Sequence, residues 1–376
     1  MVKDLGIYVH IPFCLQKCGY CDFVSFCSTD EQREEYISAL ITEIEKLSPF
    51  AKERTISTVY IGGGTPTTLS NSQLSRILNS LHENFDIKED AEITVEANPE
   101  TVTLKLMRSL KDAGVNRISL GVQAMQDKHL KAIGRIHDVK KVIEAYASCK
   151  IAGFNNINYD LIFALPNQSK NEFLDGLCDL LKLEPPHLSL YSLQLEEGTP
   201  LYADKNNLKF VSEDEERNIY YEAREILKAS GLYQYEISNF AKQGFESRHN
   251  LRYWNCSEYL GIGLNASSYF NNVRYTNPCD LTEYLNFVQN FKPLYKENDA
   301  LTENEQMSEI LVLGLRKTDG IKLKDFEQKF KKDIFSVFKK QINKHIESGL
   351  ISLSEDKLYL TEKGIDLSNQ VLCDFI

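Results

Sequence analysis

Three cysteines stand within eight residues near the start of the chain: Cys14-Leu-Gln-Lys-Cys18-Gly-Tyr-Cys21. A loop this short can turn three thiolates toward one centre, and thiolates are the usual protein ligands of iron–sulfur clusters. A four-iron cubane held by three cysteines keeps one iron without a protein ligand. That iron can accept an exogenous chelator, as an open coordination position does in catalytic metal sites. A structural zinc site wants four ligands in paired knuckles, and the chain has no second C-x2-C pair. Nine cysteines, an odd number in a chain of 376 residues, do not suit a disulfide framework. Cys27 lies six residues beyond Cys21, outside the tight loop. Cys149, Cys178, Cys256, Cys279 and Cys373 are scattered and read as small apolar residues.

Other segments add polar chemistry. Gly62-Gly63-Gly64-Thr65-Pro66 can present bare backbone to a small polar ligand, because glycine permits close approach and positive φ. Glu96-Ala97-Asn98-Pro99, Gln123 and Asp160 place further polar groups at intervals along the chain. The elements needed to hold them alternate. Strand-like runs at 6–11, 58–61, 93–97, 117–122, 157–163 and 188–193 are separated by helical periodicity at 31–47, 74–81, 104–113 and 139–151. This order predicts βα units around a parallel sheet. In such barrels the chemistry sits beyond the C-terminal ends of the strands. The cysteine loop follows strand one, the glycines follow strand two, Glu96 and Gln123 end strands three and four, and Asp160 lies in strand five. A closed barrel of eight units competes with six, but no clear seventh and eighth units are visible.

These segments resemble the radical SAM superfamily. Within it, Tyr8-Val9-His10-Ile11-Pro12-Phe13-Cys14, the Gly-Gly-Gly-Thr-Pro-Thr run, Glu96-Ala97-Asn98-Pro99, Gly121-Val122-Gln123 and Tyr159-Asp160-Leu161-Ile162 resemble the oxygen-independent coproporphyrinogen III oxidase group. The resemblance covers nearly the whole chain. It implies an α/β fold: an incomplete (β/α)6 radical SAM barrel, a C-terminal α/β accessory region and a winged-helix-like module. It implies a [4Fe–4S] cluster on Cys14, Cys18 and Cys21, with S-adenosyl-L-methionine (SAM) chelating the open iron through its amino and carboxylate groups. Carried over residue by residue, Tyr8, Tyr20, Gly63, Gly64, Thr65, Glu96, Gln123, Arg135 and Asp160 would contact SAM. Glu96 and Asp160 would accept bonds from ribose hydroxyls, and Arg135 would pair with the SAM carboxylate.

Two departures separate the chain from the oxidases. Those enzymes carry a fourth cysteine two positions after the third, where this chain has Phe23. They also carry an N-terminal extension that helps form the porphyrinogen site, whereas the first strand here begins at residue 6 or 7. The sister group with the same departures is the HemW haem chaperone family. It carries an H-N-x-x-Y-W segment, matched by His249-Asn250-Leu251-Arg252-Tyr253-Trp254, preceded by Tyr235-Glu236-Ile237-Ser238-Asn239-Phe240-Ala241. The resemblance implies haem as ligand with His249 at its iron, haem-accepting proteins as partners, and transient contact with membrane proteins. The alternatives are radical decarboxylation of propionate side chains in porphyrin biosynthesis, and radical chemistry on another substrate.

Composition bounds the rest. A net charge of −11 disfavours nucleic acid as the main partner. No apolar run approaches the ~20 residues of a membrane span, and the first residues lack a signal-peptide core, so a cytoplasmic location is expected. Three regions are expected: a radical SAM barrel over 1–200, an accessory region with the histidine segment over 201–300, and a winged-helix-like module over 301–376. The near balance of acids and bases in the last region favours packing or partner contact over DNA binding.

Overall fold

The structure, a computed structural model, describes residues 3–291 and 300–376. Strands and helices alternate: β1 (Lys3–Ile11), α1 (Asp30–Leu47), β2 (Arg54–Gly63), α2 (Asn71–Asn84), β3 (Ile87–Ala97), α3 (Leu104–Asp112) and β4 (Arg117–Gln123). Then follow α4 (Asp127–Ala132), α5 (Val139–Ile151), β5 (Asn156–Phe163), α6 (Lys170–Leu181) and β6 (His187–Ser192). Local chemistry starts the helices. Thr29 with Gln32, Ser70 with Gln73 and Ser169 with Glu172 form reciprocal capping boxes that satisfy amides the first turn leaves free.

β1 to β6 pair in parallel in chain order, in register Tyr8 to Tyr60, Val59 to Ile93, Val95 to Ile118, Leu120 to Tyr159 and Asp160 to Ser189. Strand alternation separates two kinds of residue. Ile7, Val59, Ile61, Ile93, Val95, Ile118, Leu120 and Ile157 belong to the apolar core formed with the helices. Tyr60, Glu96, Ser119, Asn158, Asp160 and Ser189 lie on the other face, around a cavity inside the barrel. This polar interior is the opposite of a filled barrel core and leaves room for ligands.

Beyond α7 (Pro200–Ala203) and α8 (Glu213–Ala229), the chain returns to the same sheet at both edges. β7 (Tyr233–Gln234) and β8 (Asn239–Ala241) join antiparallel beside β6. After α9 (Arg248–Trp254), β9 (Tyr259–Ile262) pairs in parallel with β1, followed by the hairpin β10 (Ser267–Phe270) and β11 (Val273–Thr276), then α10 (Leu281–Gln289). The result is one eleven-stranded sheet. Gly261-Ile262-Gly263 has the spacing of a tight turn in the sequence, yet Gly261 and Ile262 form half of a seventh parallel strand, β9. The region from 201 to 300 is also an extension of the barrel sheet, since Leu260, Ile262, Leu264, Phe270, Tyr284 and Val288 join the barrel's own core.

A separate core holds the C-terminal module of α11 (Glu303–Gly314), β12 (Ile321–Lys322), α12 (Leu323–Phe330), α13 (Ile334–Glu347), β13 (Ile351–Leu353), β14 (Lys357–Leu360), α14 (Glu362–Asp366) and α15 (Ser368–Leu372). Three helices and a three-stranded β12-β14-β13 sheet give the winged-helix-like shape expected. The module docks on the β7–β8 turn and on α9. Ile237 N donates to Arg316 O (3.1 Å), Thr318 N donates to Tyr235 O (3.1 Å), and the Arg316 guanidinium lies 5.3 Å from the centre of the Trp254 ring. The boundary expected at 300 adjoins residues 292–299, which lie outside the described residues. Among the described residues no helix is long and apolar enough to cross a membrane.

Candidate functional site

The cysteine loop leaves β1 and is pinned from three sides. Cys14 N donates to Phe26 O (3.0 Å) and Phe26 N to Pro12 O (2.9 Å), which closes the loop on itself. Gly19 N donates to Ile133 O (3.0 Å), tying the loop to the segment after α4. Thr65 N donates to Phe13 O (2.7 Å), tying it to the glycine segment. Cys14, Cys18 and Cys21 are free thiols, partly exposed, and all three line one cavity of about 450 Å³. Cys27 is exposed, bonds through its thiol to Leu15 O (3.3 Å) and lies outside the cavity lining. Among the described residues no three His, Cys, Asp or Glu side chains converge on a single metal-ion position. A cubane is larger than one ion, because its three thiolates bind three different irons. Burial pushes the Cys14 and Cys21 thiols up from their ordinary range, and a bound metal would reverse that.

The glycines earn their place by close approach. A side chain on Gly63, at φ +110°, would lie 2.4 Å from the His10 ring, and one on Gly64 would lie 2.8 Å from Phe13 O. Gly63 N donates to Glu96 Oε2 (3.0 Å), and the Tyr60 hydroxyl donates to Glu96 Oε1 (2.7 Å). Burial, with the nearby Asp160 charge adding to it, raises the Glu96 carboxyl to about 7 despite those two bonds. Asp160 accepts from Asn158 Nδ2 (2.8 Å), and burial raises its carboxyl too. Carboxyls raised by burial suit ligand hydroxyl donors, which would supply the bonds that favour the charged form.

Arg135 crosses the mouth. Its Nη2 donates to Asn98 Oδ1 (2.6 Å) and Gly121 O (2.7 Å), its Nη1 faces Cys18 Sγ (3.3 Å), and its buried Nε has no partner. Gln123 sits at φ +66°, where β4 slips register against β5, so the backbone turns as the strand reaches the cavity. The structure thus brings Tyr20, Gly63, Gly64, Thr65, Glu96, Gln123, Arg135 and Asp160 around one cavity with the three thiols. It does not bring Tyr8 there. Tyr8 bonds through its hydroxyl to His10 Nδ1 (2.9 Å), and its ring stacks on Tyr60 at 6.3 Å. Residues the sequence did not single out also line the space: Tyr60, Arg117, Ser119, Asn158, Ser189 and Tyr191. Their signal was strand alternation, readable only once the polar face is known to point inward.

His249 lies at the other end of the barrel, in α9. Glu92 of β3 caps this helix, accepting from Arg248 N and His249 N (both 3.0 Å). The imidazole is 0% exposed, with Nδ1 on Thr58 Oγ1 (2.8 Å), Nε2 on Tyr253 Oη (2.8 Å), and its face 5.3 Å from the Tyr60 ring. Burial, with Arg252 and Arg117 adding to it, drives its pKa down to about 3, so the ring is neutral. Arg252 locks the helix down through Asp4, Ser57 and the Glu258 carbonyl. The structure therefore places His249 inside the barrel plug, not at a surface. It could ligate an iron only after giving up one of its two ring bonds. Its neighbour Asn250 does line the cavity.

Residues 8–177 match the Radical SAM superfamily, and residues 301–367 match the HemN C-terminal domain. The chain is 39% identical to the haem chaperone HemW of Lactococcus lactis subsp. lactis over 376 residues, covering 100% of this chain and 98% of that one. It is 37% identical to the haem chaperone HemW of Bacillus subtilis, covering 98% of each. The chain belongs to the HemW family of the radical SAM superfamily. Its fold is similar to that of the Escherichia coli coproporphyrinogen III oxidase HemN, a radical SAM enzyme, at TM-score 0.86 and 25% identity, covering 99% of this chain and 90% of that chain. For this HemW-family chain the donor set fits the superfamily's cofactors. It offers three free thiols at the mouth, and behind them two buried carboxyls and an arginine whose Nε has no partner.

Proposed function

We propose that this protein binds haem and delivers it to haem-requiring proteins, and that its barrel carries a [4Fe–4S] cluster on Cys14, Cys18 and Cys21 with SAM beside it. The observation that carries the proposal is the end-to-end similarity to two haem chaperones, on a chain that keeps three thiols around one cavity. When bound, the cluster and SAM supply one-electron chemistry. The chain's own residues hold and orient. Glu96 and Asp160 accept hydroxyl bonds from the ligand, Arg135 sets the charge beside Cys18, and the Gly63–Gly64 backbone lets the ligand lie close. Tyr20, Thr65 and Gln123 complete the SAM contacts, and Tyr8 supports them from behind Tyr60. Phe23 and Tyr191 line the mouth with exposed rings, Phe23 at 64% exposure, and offer apolar surface to a macrocycle. His249, buried at the opposite end of the barrel, is the proposed iron ligand of a second arrangement in which α9 opens and its Tyr253 bond is exchanged for the metal. The partners are haem and haem-accepting proteins, with transient contact at membrane proteins. The reducing cytoplasm suits the free thiols.

Haem titration tests the proposal. One haem per chain should survive gel filtration, and His249→Ala should shift the Soret band and weaken retention while cluster content stays intact. No retained haem in the wild-type protein would remove the function. Identical spectra and affinities in His249→Ala would leave haem bound elsewhere and the histidine structural.

A further inference from the structure

We infer that Arg117 is a second anchor of the cavity, whose guanidinium receives a ligand carboxylate reaching down from the mouth to the barrel floor. Arg117 opens β4 between Thr94 of β3 and Asn156 of β5, and its side chain is only 2% exposed although it lines the ligand cavity. Its Nε has no hydrogen-bond partner, and among the described residues it forms no ion pair. The other buried arginines, Arg135 and Arg252, likewise leave Nε unpartnered, but their Nη ends are engaged: Arg252 on Asp4, Ser57 and two carbonyls, Arg135 on Asn98, Gly121 and Cys18. A buried charge is costly unless something pairs with it. Glu96 and Asp160 line the same cavity and feel the Arg117 charge, but each bonds to other groups: Tyr60 and Gly63 for Glu96, Asn158 and Ser119 for Asp160.

The planar guanidinium fork matches carboxylate or phosphate two bonds at a time. Two protein carboxyls nearby weigh against a doubly charged phosphate and favour the single charge of a carboxylate. Ser119, Asn158 and Ser189 surround the approach with short polar side chains that leave it open. Arg117 was not among the residues the family resemblance carried over. The inference rests on the proposed haem function and names the haem propionates as the carboxylates, since the SAM carboxylate is expected at the cluster's open iron beside Arg135.

The test compares haem with its carboxylate-free dimethyl ester on cluster-loaded protein. Both are titrated by absorbance for wild type, Arg117→Gln and Arg117→Lys. The wild type should prefer haem over the ester, and Arg117→Gln should lose about ten- to a hundred-fold of that preference, the equivalent of one charged hydrogen-bonded contact. Arg117→Lys, which keeps the charge and loses the fork, should retain an intermediate preference. Equal wild-type affinity for haem and its ester, or an undiminished preference in Arg117→Gln, would overturn the inference and leave Arg117 as a countercharge for Glu96 and Asp160. If Arg117→Gln fails to fold, the wild-type pair and Arg117→Lys still decide. Wild-type protein that binds neither haem nor its ester would sink the haem function itself, an outcome distinct from equal binding of the two.

Discussion

At the scale of single residues, the loop spacing carried most of the chemistry. Cys14, Cys18 and Cys21 share one cavity wall, and Cys27 turns away to the Leu15 carbonyl. Replacing any of the three by Ala should abolish the cluster absorbance and the reduced-state EPR signal, whereas Cys27→Ala should keep both. Equal loss in Cys27→Ala would break the ligand assignment. Glu96 gives a prediction in pH. Its carboxyl is raised by burial from 4.5 to about 7, so the folded ligand-free protein holds a proton there that the unfolded chain has released. Glu96 then lowers stability as pH rises from about 4.5 to about 7, with no further change above that window. In Glu96→Gln the fall in unfolding free energy across that window should be shallower than in wild type, read by urea titration at several pH values. An unchanged slope would mean that Glu96 ionises freely. Arg117 illustrates what a sequence hides. It reads as the polar start of a strand, and only the barrel's inward face makes it a buried cation beside a ligand cavity.

At the scale of elements, the first six strands were legible because apolar runs alternate with helix periodicity, and α1 and α5 fall where periodicity placed them. The seventh parallel strand was not. Gly261 in β9 and Gly263 just after it mimic a turn, yet Gly261 is a packing requirement, since a Cβ there would lie 2.1 Å from the Ser267 carbonyl oxygen. Gly261→Ala should therefore push β9 off the hairpin and cost about 1–3 kcal/mol, as overpacking of a fitted core does, measured by urea unfolding. A neutral result would mean that the β9–β10 junction is loose. Helix α6 was also missed, although Ser169 and Glu172 form its capping box. Phe173, Leu177 and Leu180 recur at helical spacing and are buried, so both the cap and the apolar stripe were legible and were passed over. The H-N-x-x-Y-W segment, whose histidine was expected at a haem iron, folds as a helix, because Glu92 and Ser247 satisfy its first amides and Arg252 ties it to β1.

At the scale of the whole molecule, one sheet connects the cysteine mouth, the polar barrel interior and the α9 plug, and the C-terminal module rests on α9 through Trp254. Haem bound near the mouth or at His249 would thus be sensed by the same continuous structure. Similarity runs to both haem chaperones and a coproporphyrinogen oxidase, so the decisive question is which tetrapyrrole chemistry this chain performs. Anaerobically reconstituted protein with SAM and a reductant should be given coproporphyrinogen III and haemin in parallel, with an apo-haemoprotein added to the second. The account predicts no decarboxylated porphyrinogen, one haem retained per chain, and passage of that haem to the acceptor. Turnover of coproporphyrinogen III without haem retention would contradict it.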